Sequence, residues 1–208
     1  MEATNSLERV QHKANTFKVL SVLYKQPSED FHYYLTHLKI SISNIYPQLL
    51  NDVEKLEFEF QKYDTKLINL EVEHAKLFVG PFDVLCPPYS SIYLNEGRAV
   101  FGESTLEAIN AYNEAGIELS KEYKELPDHI STELEFIYFL YFSYHDNPQF
   151  KYLQQIESFI ESHLGRWVVP FIAKVEERAA TDFYKVLSTI LAQVIAKEAL
   201  ELKERMSD

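Results

Sequence analysis

At 208 residues, the chain has the length of one globular domain or two small ones, and a single fold of this size buries roughly 70% of its unfolded surface without help from a metal or disulfide. Hydrophobic residues make up 46% and only five residues are glycine, which argues against disorder and against a turn-rich β protein. The net charge of −12 argues against nucleic acid as a partner, because phosphate binding needs clustered lysine and arginine, and it favours a cationic one.

Helical periodicity runs through almost the whole chain. Asn5 or Ser6 is positioned to cap a first helix with Leu7, Val10, Ala14, Phe17, Leu20 and Tyr24 along one face, ended by Pro27. Short helical segments follow around 29–38 and 44–60. A helix over 65–79 carries Leu67, Leu70, His74, Leu77 and Phe78 on one side and stops at Gly80-Pro81. Ser104-Thr-Leu-Glu107 has the form of a capping box, opening a helix that ends at Gly116. Pro127-Asp128 opens the next helix with Asp128 as its N-cap. From Leu134 to Tyr144 that helix is apolar almost all round, as expected of a central buried element. Asn147-Pro148 starts another, Gly165 and Pro170 punctuate a short segment around Trp167, and a last helix spans about 181–203. No strand-period run, repeat or flexible linker interrupts this. The expectation is an all-α fold, one domain over 1–208 with nine or ten helices.

Targeting signals are absent from the reading. The N-terminal Met-Glu-Ala-Thr-Asn has no basic-then-apolar signal peptide. The longest apolar or aromatic run, Phe136 to Phe142, is far short of the ~20 residues that span a bilayer. One cysteine allows no intramolecular disulfide and fits the cytosol. A cytoplasmic location without stable membrane insertion is expected.

Chemistry-bearing residues fall into a few groups. Glu29/His32 and Glu71/His74 are Glu-x-x-His pairs, a spacing that ligates iron in ferritin-like carboxylate proteins, although such sites need two further inward glutamates. His129 and Glu133 share a helix face at i,i+4. With Asp128 they read as a cap plus a surface ion pair, or as part of a mononuclear metal site lacking a third ligand. No Gly-rich phosphate loop or nucleophile elbow is present. Cys86 has no neighbouring base and reads as a packed, inert thiol, and Trp167 as a core residue. The loop from Gly80 to Tyr89 is unusual: Phe82, Val84, Leu85, Pro87, Pro88 and Tyr89 make it apolar, whereas loops are normally polar and exposed. Such a loop is either packed down or offered to a partner.

Three of these segments, in order, carry a family resemblance. Glu73-His-Ala-Lys-Leu-Phe-Val-Gly-Pro81 resembles the helix-ending LF-x-GP segment of the TorD/DmsD/NarJ family of redox-enzyme maturation chaperones. Pro87-Pro-Tyr-Ser-Ser-Ile-Tyr93 resembles its proline-aromatic-serine loop, and Pro127-Asp-His-Ile-Ser-Thr-Glu-Leu-Glu-Phe136 its PDH-x-x-x-ELEF signature. The match is clearest over 71–136.

The resemblance implies an all-helical, non-enzymatic chaperone without a cofactor or bound metal. Such a chaperone binds the twin-arginine leader of a molybdopterin oxidoreductase subunit in the cytoplasm and holds it back from export. The partner would be that leader, with the mature client as a second contact, and the protein a monomer or dimer. Carried over by motif position, the leader-binding surface would comprise His74, Leu77, Phe78, Pro88, Tyr89, Tyr93, Asp128 and His129. Several relatives carry tryptophan where this chain has His74, Tyr89 and Tyr93. Apolar leader residues would rest on the aromatic positions and the paired guanidinium groups would meet Asp128 and nearby glutamates. Burying ~400 Å² of apolar peptide would contribute about 10 kcal/mol, much of it offset by docking and ordering entropy. The alternative is a helical metalloprotein or metal-dependent hydrolase built on the Glu-His pairs.

Overall fold

A computed structural model describes residues 2–63, 66–80, 84–96, 100–120, 122–123 and 125–207. Helix α1 (Glu2–Leu23) buries Val10, Ala14, Phe17 and Leu20, whose three- and four-residue spacing forms one stripe. The chain turns at Pro27 into α2 (Phe31–Ile45), which buries Phe31, Leu35, Leu38, Ile42 and Ile45. A single 3-10 turn, Pro47–Leu49, leads into α3 (Leu50–Gln61), so the segments read around 29–38 and 44–60 are two full helices. Proline at the start of that turn costs nothing, since its missing N–H has no partner to lose there.

Helix α4 (Leu67–His74) widens at its end into a π turn, Ala75–Val79. Gly80 closes it, its N–H donating 2.6 Å to the carbonyl of Ala75 five residues back. Gly80 has φ +67°, a left-handed backbone that a Cβ disfavours. The returning loop then supplies donors to the open helix end: Cys86 N–H reaches Leu77 O at 2.7 Å. Thr65, read as the start of this helix, lies outside the described residues, as do Pro81 and Phe82.

Short α5 (Ser90–Leu94) and α6 (Glu103–Glu114) follow. Helix α6 starts two residues earlier than the capping-box reading, with Gly102 at the N-cap, and uses different groups. Thr105 Oγ1 accepts from Gly102 N–H at 3.1 Å and Asn95 Oδ1 from Ser104 N–H at 3.2 Å. Glu107, left free of that duty, faces His163. Helix α7 (Ile130–Asp146) is the central element, burying Ile130, Leu134, Phe136, Ile137, Leu140 and Tyr141 and packing along α1. Its nearly continuous apolar surface is what a helix enclosed on several sides requires. Helix α8 (Phe150–Phe159) has Gln149 at its N-cap position, two residues beyond the Asn147-Pro148 start expected from sequence.

The segment around Trp167 is no short piece. A second π turn, Ile160–Leu164, joins α8 to α9 (Gly165–Arg178), which runs straight through Pro170. An internal proline costs about 3 kcal/mol. Burial of Trp167, Val168, Phe171, Ile172 and Val175, at about 1.5–3 kcal/mol each, outweighs it. Helix α10 (Asp182–Ser207) closes the fold against α3 and α9. The described residues hold ten α-helices and, in place of a sheet, one isolated bridge. No described helix is long and apolar enough to cross a membrane.

Candidate functional site

The isolated bridge organises the site. Tyr89 and His129 pair antiparallel; Ile130 N–H donates to Pro88 O at 2.8 Å and Ser90 N–H to Asp128 O at 3.0 Å. The Asp128 side chain does not cap its own helix. Its Oδ2 accepts from Ser91 N–H at 3.0 Å, thereby capping α5 across the bridge. The N-cap of α7 is His129, whose Nδ1 accepts from Ser131 N–H at 3.1 Å. The change follows from the bridge itself: once Asp128 lies extended beside Ser90, its carboxylate points at the neighbouring segment's free N–H groups.

A cavity of about 500 Å³ opens over this bridge. One wall comes from α4 and its π turn, with Glu71, His74, Ala75, Phe78 and Val79. Tyr24, Lys25 and Gln26 enter from the end of α1, and Val84, Tyr89, Glu125 and His129 complete it. The rings form two contacting groups: Phe78 meets His74 at 5.3 Å and Tyr24 at 6.0 Å, and Tyr89 packs edge-on to His129 at 5.2 Å.

Both imidazoles are held neutral. Burial lowers the pKa of His74, opposed only by its 3.3 Å contact with Tyr24 O. Glu125 Oε2 lies 3.2 Å from His129 Nε2 and favours the imidazolium. That carboxylate is 44% exposed and screened by water. Burial, with His74 and Lys25 nearby, dominates and pushes His129 down to about 3. Burial likewise raises Tyr89, with Glu125 and Asp128 adding to the effect. The cavity is thus aromatic and uncharged at its floor, with Glu71, Glu125 and Lys25 in its walls.

Four of the eight residues expected from sequence line this cavity together: His74, Phe78, Tyr89 and His129. The other four do not. Leu77 is fully buried in the core, on the inner side of α4. Pro88 contributes its carbonyl to the bridge. Tyr93 stacks on Trp167 at 5.7 Å, against α9. Asp128 is fully buried, and its Oδ1 has no hydrogen-bond partner among the described residues. Tyr24, Lys25, Glu71 and Glu125 complete the walls without having been singled out for this site. Tyr24 reads from sequence as one more position of an apolar stripe, and Glu125 only as one of the unnamed glutamates near Asp128.

The His129/Glu133 pair separates in three dimensions. His129 faces the cavity, whereas Glu133 turns inward, fully buried, accepting from Trp167 Nε1 at 2.9 Å and pairing with His163 Nε2 at 2.8 Å. Burial raises the Glu133 pKa despite those partners. Desolvation is the largest influence on His163 and lowers its pKa, yet Glu133 and Glu107 together raise it. This network ties α6, α7 and α9 behind the site. Among the described residues, no group of three or more His, Cys, Asp or Glu side chains is placed to hold a metal ion. Cys86 is buried, donates to Lys174 O at 3.3 Å, and has its thiol pushed up to about 11 by burial.

Comparison with known proteins converges on one description. A family model described as nitrate reductase delta subunit matches residues 44–173, a span holding all eight expected residues. The chaperone protein TorD of Shewanella pealeana is 25% identical over 165 residues, 75% of this chain and 72% of the relative. The Tat proofreading chaperone DmsD of Salmonella typhimurium is 26% identical over 127 residues, covering 61% of this chain and 59% of the relative, less than two thirds of its length. The crystal structure of a candidate redox enzyme maturation protein from Archaeoglobus fulgidus superposes with a TM-score of 0.56. It shares 25% identity and covers 88% of this chain and 93% of that one.

Proposed function

This chain belongs to the nitrate reductase delta subunit family, and on that premise we propose that it is a cytoplasmic, non-enzymatic maturation chaperone that binds the twin-arginine leader of a molybdopterin oxidoreductase subunit before Tat export. The observation that carries the reading is the cavity over the Tyr89–His129 bridge, where an aromatic floor meets carboxylates. A leader joins a basic head to an apolar stretch. The apolar side chains rest on Phe78, Tyr89 and Val84, while the guanidinium groups meet Glu71 and Glu125, both in the cavity walls. Neutral His74 and His129 add no repulsion. Asp128 serves this site by holding the Ser90 turn in place under Tyr89. The net charge of −12 steers the basic peptide inward.

Calorimetric titration with a synthetic twin-arginine leader tests this. Tyr89→Ala and Glu125→Gln are both expected to preserve the helical circular dichroism and to weaken binding, each by roughly tenfold, the value of one well-placed contact of about 1.4 kcal/mol. Undiminished affinity in both variants would remove this cavity as the leader site.

A further inference from the structure

The cavity does not end at its own walls. Ile68, Val72, Ala75 and Val79 follow one another along α4 and its π turn at intervals of four, three and four residues, close to the spacing of a helix-packing seam. Ile68 is 61% exposed, Val72 45% and Val79 61%. The opposite side of the same helix already buries Leu70, His74 and Leu77, so α4 has a second apolar face that the core does not use. Ala75 and Val79 also line the cavity. Both belong to the π turn that ends the helix.

Resting on the leader-binding reading above, we infer that this outer stripe of α4 is the docking surface for the apolar stretch of the leader. The basic head and the first apolar side chains occupy the cavity, and the remainder of the stretch lies along the stripe as a helix. Length supports the assignment. From residue 68 to 79 the stripe runs about 16 Å at ~1.5 Å per residue, which fits an apolar stretch of ~7–15 residues. Area supports it too. Three branched side chains and one alanine cannot supply the ~800 Å² per partner of a stable dimer face, whereas an amphipathic helix needs only such a row of anchors. The cavity, at about 500 Å³, holds a few side chains and leaves the remainder of a leader to lie outside.

The test pairs the double variant Ile68→Ser/Val72→Ser with two synthetic peptides. One carries two adjacent arginines followed by about twelve leucines and alanines, within the range of natural apolar stretches; the other ends just after the arginines. Both substituted side chains are exposed, so circular dichroism is expected to match the parent. The longer peptide is expected to bind the variant about tenfold or more weakly, the loss of two partly buried aliphatic contacts, with the shorter one unchanged. Equal loss for both peptides, or no loss for either, overturns the stripe assignment while leaving the cavity reading intact. A parent protein that binds neither peptide overturns both. Sedimentation that finds a parent dimer dispersed by the double variant overturns the choice of occupant in favour of a second copy.

Discussion

His129 does three things with one ring. It caps α7 through Nδ1, packs edge-on to Tyr89, and remains neutral because it is buried beside Lys25 and His74. Its pKa is lowered in the folded state, so the unfolded chain binds the proton more readily. The associated stability is fully present above the unfolded value near 6.5 and is lost as pH falls towards about 3. His163 has the opposite sign: its raised pKa gives stability that is present below about 6.5 and lost as pH rises through the folded value. His129→Asn keeps a good cap and removes the titration. Urea unfolding at about pH 7 and about pH 5 is expected to show a smaller acid loss in the variant than in the parent. An unchanged difference would mean that other groups carry the acid sensitivity.

At the level of the helices, the described residues hold two π turns, Ala75–Val79 and Ile160–Leu164. The first sets Val79 against the cavity. The second precedes α9 and depends on a glycine: a Cβ on Gly165 would lie 2.6 Å from the Ile160 carbonyl oxygen, inside contact distance. Gly165→Ala is expected to destabilise by about 1–3 kcal/mol, the usual cost of overpacking, despite alanine's better helix propensity. Chemical denaturation measures it directly, and a neutral or stabilising result would show that the turn can relax to an ordinary helix. The same element places Trp167 on Glu133 and Tyr93 on Trp167, which is why Tyr93 supports the site from behind.

Across the whole molecule, the two ends of the chain are tied together. Lys13 of α1 pairs with Glu198 at 2.9 Å and Glu201 at 2.7 Å on α10, and Arg9 pairs with Glu201 at 2.6 Å. Glu198 is fully buried and also accepts from the hydroxyls of Tyr46 and Tyr141. Helix α1 in turn packs on α7, whose first turn belongs to the bridge. We therefore propose that residues 1–208 unfold as one domain, with circular dichroism and Trp167 fluorescence giving coincident urea transitions. Lys13→Met leaves Glu198 buried without its cation and is expected to cost about 3–5 kcal/mol while shifting both probes together. Separate midpoints would divide the chain into two units.

Helix positions were legible in the amino-acid order because periodicity and proline are local: the stripe of α1 and the apolar girth of α7 are written in consecutive residues. The motifs around 74–93 and 127–136 likewise pointed to the family and to four residues of the cavity lining. What stayed hidden depends on contacts between residues far apart in the chain. Asp128 and His129 exchange capping roles only because Pro88–Ser90 lies alongside them. His129 and Glu133, one turn apart on paper, face a cavity and a buried tryptophan respectively, because the chain enters α7 from an extended bridge. Spacing along a chain determines which residues share a face of a helix; only packing decides what that face meets.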